Sequence, residues 1–366
     1  MDSRKFRITW KTILLPSLGL AAFFIYLYIF GVDIATIFET AKSIDFSIYF
    51  LAVVAVIFET FLFAISWRSL VTFLSVKLSV MQSFLYVWYG IYMDIIIPAE
   101  SISGEISRIY LVTREQSEAS GKIVASLVAH RLMGMGINIG SLLVGMIVLL
   151  MGKQLSGIVL NLTLFLVVIT TAFLVLLILL SVKEKWTLKI IRSVIGFVER
   201  ISRGKWRLSK VRAEVIKAAS IFHNSMKEYG HAPKTLLTSL CFYVLSWLLS
   251  LTVTYLVFLS LGYPIHWSII VVTCSIVVAV KSIPLGVPFE AGLPEITMSA
   301  LFMVLLTDIP LDMRVAICGT ATILVRILTV WFRFFIGFVI QQWLGIKGMT
   351  TPGVNVEQLK PETKKI

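Results

Sequence analysis

Charge is scarce in this sequence. Only 14% of its 366 residues are Asp, Glu, Lys or Arg, against 58% hydrophobic residues. A soluble domain carries about 25% charged residues, so the composition excludes a water-soluble globular protein. Cysteine is scarce too. Cys241, Cys274 and Cys318 all lie in apolar runs, without metal-ligand spacing or an even count, which excludes a disulfide framework and reads as small packed residues. There is no Walker loop, no His-x-x-x-His helix and no Ser/His/Asp set that the sequence brings together. Hydrolase chemistry and ATP-driven pumping are therefore not indicated, and no metal or cofactor is expected. Short alternating segments are lacking, and long continuous apolar runs exclude a β-barrel. What remains is an all-α polytopic membrane protein, because in lipid only helices and closed barrels satisfy their own backbone.

The charge that is present is lopsided, with a formal net value of +13. On a soluble chain this would suggest nucleic acid. Here it reads as cytoplasmic loop charge facing anionic headgroups, and no nucleic-acid partner is expected. Arg4, Lys5, Arg7 and Lys11 precede the first apolar run, residues 13–30, which puts the N-terminus in the cytoplasm of a cell-membrane protein. Further spans are expected at 46–67, 124–151, 157–181, 235–261 and 315–344, about six in all. Residues 183–234 carry thirteen Lys/Arg against four Glu, which marks a cytoplasmic loop. Within it Leu188, Ile191, Ile195 and Val198 recur at helical spacing, as do Val211, Val215, Phe222, Met226 and Tyr229. Both stretches read as amphipathic helices lying on the inner leaflet. One integral domain is expected over 1–347, followed by a polar, disordered cytoplasmic tail over 348–366.

A short polar phrase occurs twice inside apolar sequence. Pro98, Glu100 and Glu105 form Pro-x-Glu-x4-Glu, and Pro288, Glu290 and Glu295 repeat it. Parity decides how these phrases lie. The chain is inside near Arg68 and Lys77 and must be inside again at Lys122, so residues 81–113 enter and leave on one side. Their apolar halves are too short to cross about 30 Å of hydrocarbon. They read as a re-entrant hairpin with Pro98 and Gly104 at its tip. The same count makes 268–306 a second hairpin from the opposite face, its tip carrying Pro284, Gly286, Pro288 and Gly292. Two oppositely oriented hairpins imply an inverted repeat, one half about 46–151 and the other about 235–344. The plainer alternative makes each stretch an ordinary span followed by a polar loop, at the expense of the charge asymmetry.

Each hairpin is followed by an arginine deep in a long apolar segment, Arg131 and Arg326. An arginine at the bilayer centre costs at least about 2.5 kcal/mol unless paired or wetted. Its expected partners are the hairpin carboxylates or an anionic substrate. Helix N-termini at the tips would add N–H donors and a positive dipole end, which together suit phosphate. Glu100, Glu105, Arg131, Glu290, Glu295 and Arg326 are therefore the candidate substrate-binding residues. The bland reading stays open beside this one: Glu105 and Glu295 as helix caps, and the arginines as structural ion pairs. His130 reads as a packed, hydrogen-bonded residue rather than a proton relay. Glu59 lies at span depth, and Asp94 and Lys281 on the ascending arms. Arg108 and Arg333 read as snorkelling to headgroups.

Residues 97–140 and 283–344 resemble the lysylphosphatidylglycerol synthase transmembrane region, or flippase-like, family. The likeness lies in Pro98, Gly104, Glu105 and Arg108, then Ser126 and Arg131, and in Pro284, Gly292 and Glu295. Glycine is usual in the family where Ser103 and Ala291 stand here. The resemblance implies translocation of a lipid headgroup, an aminoacylated phospholipid or a polyprenyl-linked one. Members that synthesise the aminoacyl lipid carry a soluble transferase domain after the membrane part. This chain runs only about twenty residues past its last span, so it resembles a stand-alone translocase. The expectation is thus a flippase-like transporter, not an enzyme, whose partners are phosphate-bearing membrane lipids; a homo-oligomer is compatible with it. Two rivals are a membrane-embedded transferase acting on lipid-linked substrates and a non-catalytic scaffold.

Overall fold

The computed structural model describes residue 39 and residues 42–97, 102–116, 120–151, 157–201, 209–281 and 292–344. Every regular element among the described residues is helical. They are α1 (Phe46–Phe73), α2 (Val80–Ile96), α3 (Ile102–Glu115), α4 (Ser120–Met151), α5 (Gly157–Val182), α6 (Glu184–Ile201), α7 (Ser209–Gly230), α8 (Pro233–Ser260), α9 (Trp267–Lys281), α10 (Leu293–Leu305) and α11 (Leu311–Arg326). A π-helical stretch (Ile327–Phe332) carries α11 without a break into α12 (Arg333–Trp343). Five helices are long and apolar enough to cross a membrane: α1, α4, α5, α8 and the continuous Met313–Trp343. They match five of the six spans read from the sequence. The remaining one, 13–30, and the tail 348–366 lie outside the described residues.

The most extensive helix packing among the described residues joins α1 and α8. Asp45 starts α1 by accepting the N–H groups of Ser47 and Ile48 at 2.9 and 3.3 Å, a side-chain cap. Its own N–H donates to the carbonyl of Ser260, at the far end of α8, at 2.9 Å. One stretch on, Ser246 donates to the carbonyl of Glu59 at 2.9 Å. Then Ser66 and Ser239 each donate to the other's carbonyl, at 2.8 and 3.0 Å. Residue numbers rise along α1 as they fall along α8, so the two helices are antiparallel. Small hydroxyl residues let backbones approach closely where no water competes.

Four helices are short. α2, α3, α9 and α10 hold 17, 14, 15 and 13 residues, or about 26, 21, 23 and 20 Å at 1.5 Å per residue. Each is shorter than a bilayer's hydrocarbon core of about 30 Å. α2 packs on α3, and α9 on α10. Packing then links elements distant in the chain: α2 rests on α12, and α9 on α4. A Cβ at Gly337 would strike Tyr92, and one at Gly145 would strike Val272, so each crossing depends on a missing side chain. The second arm of each pair packs on the long helix that follows it, α3 on α4 and α10 on α11.

The basic loop corrects one expectation. α7 does not offer its apolar stripe to lipid; it packs on α4. The Tyr229 hydroxyl donates to the carbonyl of Leu70 at 2.9 Å, and Phe222 and Met226 lie against Leu70, Leu74, Ala125 and Ala129. On α6, Ile195 of the stripe read from the sequence is buried and Leu188 and Ile191 are half-buried, while Trp186, Ile190, Val194 and Phe197 form a second, exposed stripe. The reason is local. The ends of α1, α4 and α5 offer these helices an apolar floor, and burial there removes the same surface that a leaflet would.

Candidate functional site

The first arm of the first hairpin holds the start of the second. Asp94, near the end of α2, accepts the N–H of Gly104 at 2.6 Å and the hydroxyl of Ser103 at 2.8 Å, both through Oδ1. This carboxylate therefore occupies the N-terminus of α3, where unpaired N–H groups and the helix dipole favour negative charge. A Cβ at Gly104 would collide with the Asp94 carboxylate and with the carbonyl of Gly90, so glycine is what lets the arms close. Ser103 also donates to the Ile97 carbonyl at 3.0 Å, which gives this serine a role glycine could not fill.

Glu105, in the first turn of α3, receives Arg131 Nε from α4 at 3.0 Å, and each side chain keeps about a fifth of its surface, 22% and 21%. The second half holds the counterpart. Glu295, in the first turn of α10, receives Arg326 Nε from α11 at 2.5 Å, with 5% and 8% of the side chains exposed. Its other oxygen accepts the N–H of Gly292 at 2.7 Å. Gly292 sits at φ +101°, a backbone region that side chains rarely tolerate. The two readings left open for Glu295, cap and ion-pair partner, are thus both met by one carboxylate. Arg326 is also the last residue before the π-helical stretch, a feature frequent at functional sites.

Both deep arginines therefore meet the hairpin carboxylates expected of them. Glu105, Glu295, Arg131, Arg326, Gly104 and Gly292 belong to these two clusters. Pro98, Glu100, Pro284, Gly286, Pro288 and Glu290 lie outside the described residues.

Two arginines are placed differently from the expectation. Arg333 does not reach for headgroups; its Nη2 pairs with Glu59 Oε2, joining α12 to α1, and Thr60 also donates to that oxygen at 3.2 Å. Arg108 is buried, with its guanidinium carbon 5.2 Å from the centroid of the Trp67 ring. Both lie where α1 runs beside them, and no span boundary in the sequence shows that. His130 is packed as expected. Its Nε2 is 3.0 Å from Ser66 Oγ, and its ring packs with those of Phe63 and Tyr243 in a triangle, with centroids 4.6 Å from each and 5.4 Å between those two. Tyr243 stands within electrostatic reach of Glu59, Glu105, Arg108 and Arg131, so it links the clusters. No signal in the sequence marked it. Three ion pairs join Glu105 to Arg131, Glu295 to Arg326 and Glu59 to Arg333; with Asp94 and Arg108 added, the eight groups balance in number.

Long apolar helices, two pairs of short packed helices and charged pairs at the start of each second arm define a polytopic helical membrane protein with ion pairs between its helices. The profile of the Lysylphosphatidylglycerol synthase TM region family matches residues 14–337, and the chain belongs to that family. It is similar to the "UPF0104 membrane protein PH1989" of Pyrococcus horikoshii, with 22% identity over 338 residues, covering 89% of this chain and 95% of the relative. No solved structure matches it.

Proposed function

We propose that the protein is a transporter that moves the headgroup of a phosphate-bearing lipid across a cell membrane. The pairs Glu105–Arg131 and Glu295–Arg326 carry this reading, because they stand at matching places in the two halves. In the proposal the hairpins α2–α3 and α9–α10 are re-entrant and open to opposite faces, and the halves are inverted copies. The antiparallel α1 and α8, the short arms and the crosswise packing of α2 on α12 and α9 on α4 all support it. Irregular backbone at membrane depth is tolerated only beside protein or a watery cavity. The hairpin tips would line such a cavity, with both termini in the cytoplasm.

The two pairs differ in exposure, and this suggests how they work. A headgroup phosphate would meet the more open pair first and compete with Glu105 for Arg131. It would pass to Arg326 as Glu295 releases it. Bidentate bonds from a guanidinium suit phosphate and carboxylate alike, so one can displace the other without leaving an ion bare. A lining of balanced charge also accepts a headgroup that carries both signs.

Proteoliposomes holding a fluorescent phosphatidylglycerol test the reading through dithionite bleaching of the outer leaflet. Wild type should bleach beyond the outer half, and Arg131→Ala and Arg326→Ala should stop at it. Undiminished transfer by both variants would overturn the proposal.

A further inference from the structure

Three of the four interior arginines hold a carboxylate: Arg131, Arg326 and Arg333. Arg108 is different. It is more than nine-tenths buried, at 8% exposure. Among the described residues its Nε reaches only the Gly104 carbonyl, at 3.4 Å, and its Nη1 has no hydrogen-bond partner. The nearby carboxylates are engaged, Asp94 on the first turn of α3 and Glu105 on Arg131. A guanidinium stays charged under any physiological condition. The Trp67 ring face recovers part of the lost hydration, and Glu105 and Asp94 act on the guanidinium from a distance, but a buried cation with no anion bonded to it remains costly.

The setting points to what would satisfy it. Arg108 lies one turn beyond Gly104 on α3, behind a helix start that favours anions. Arg131 is within electrostatic reach of it. Trp67 is itself fixed, its Nε1–H donating to Ser126 Oγ at 3.1 Å, and Ser126 donates to the Ile123 carbonyl at 2.7 Å. The ring thus holds the guanidinium at a set place rather than leaving it to wander. We infer that Arg108 is the anchor for the ligand's phosphate group, and that Glu105–Arg131 beside it is the exchangeable pair. The inference rests on the transport reading in taking the phosphate to be a phospholipid's. The chemistry at Arg108 is that of a tetrahedral oxyanion, which free phosphate shares.

The full chain in uncharged detergent can be titrated by calorimetry with dihexanoyl phosphatidylglycerol, dihexanoylglycerol and inorganic phosphate. Wild type should bind the phospholipid saturably and ignore dihexanoylglycerol. Arg108→Gln should weaken binding about tenfold or more, and Arg108→Lys less, since it keeps the charge but loses the fork. Inorganic phosphate binding with the same dependence on Arg108 would make the bare anion the source and still support the anchor. Three results would overturn it: unchanged affinity in a folded Arg108→Gln protein, equal binding of dihexanoylglycerol, or no binding of either phosphate probe by wild type. If Arg108→Gln does not fold, Arg108→Lys decides, and affinity equal to wild type removes the anchor. The transport reading fails separately. Arg108-dependent binding without transfer in wild-type proteoliposomes removes transport alone, and undiminished transfer by Arg108→Gln removes the anchor alone.

Discussion

Arg326 donates to one oxygen of Glu295 at 2.5 Å while the N–H of Gly292 donates to the other at 2.7 Å. One buried carboxylate thus holds a neighbouring helix and starts its own. Glu295→Ala should cost about 3–5 kcal/mol, because it takes a buried carboxylate away from Arg326 and frees an N–H donor. Glu105→Ala should cost less, because that pair keeps about a fifth of its surface and water can take over part of its bonding. Thermal unfolding of both variants in one detergent gives the comparison. An equal loss, or a larger one at Glu105, would contradict the difference in burial.

Asp94 caps a helix that is not its own. Asp94→Ala should destabilise the hairpin by about 1–2 kcal/mol, the usual worth of a capping side chain. Asp94→Asn should cost less, since an amide oxygen can still accept. Gly104→Ala should be the worst of the three, because its Cβ meets both the Asp94 carboxylate and the Gly90 carbonyl. Resistance to thermal unfolding in one detergent ranks the three variants. A Gly104→Ala protein as resistant as wild type would show that the arms do not close as described.

The ion pair between Glu59 and Arg333 ties α1 to α12. If the pairing matters rather than either residue, Glu59→Arg and Arg333→Glu should each unfold readily, and the double exchange should recover much of the loss. The size of the recovery in a double-mutant cycle measures the coupling. No recovery would mean that Thr60 and Ser246 hold Glu59 well enough without Arg333.

What the sequence revealed follows from distance along the chain. The long spans are legible because their apolar runs exceed what a soluble core needs. Arg131 and Arg326 are legible because a cation in such a run demands an anion, and each finds one 26 or 31 residues earlier. The Glu59–Arg333 pair joins residues 274 apart, and nothing local announces it. Asp94 shows in the sequence only as a stray carboxylate; folding the hairpin is what sets it over the start of α3. Arg108 lies in a short half-helix whose depth depends on Trp67 and α1, so its apparent interfacial position misled. α6 carries two apolar stripes, and the choice between them belongs to its neighbours.

That second stripe yields the last prediction. Trp186, Ile190, Val194 and Phe197 are exposed along one side of α6, and Lys185, Lys189 and Arg192 flank them. An exposed apolar stripe with basic flanks suits a helix lying in the headgroup boundary, where the stripe enters the acyl region and the cations meet anionic lipid. A nitroxide at Val194→Cys, with the native cysteines replaced, should collide more with oxygen than with a water-soluble nickel complex in liposomes containing phosphatidylglycerol. At Arg192→Cys the preference should reverse. Replacing Trp186 and Phe197 together by Ser should lower the oxygen preference at 194 without unfolding the spans, because neither side chain supports the core. Equal nickel accessibility at both positions would place α6 in water, and its apolar stripe would then need another cover.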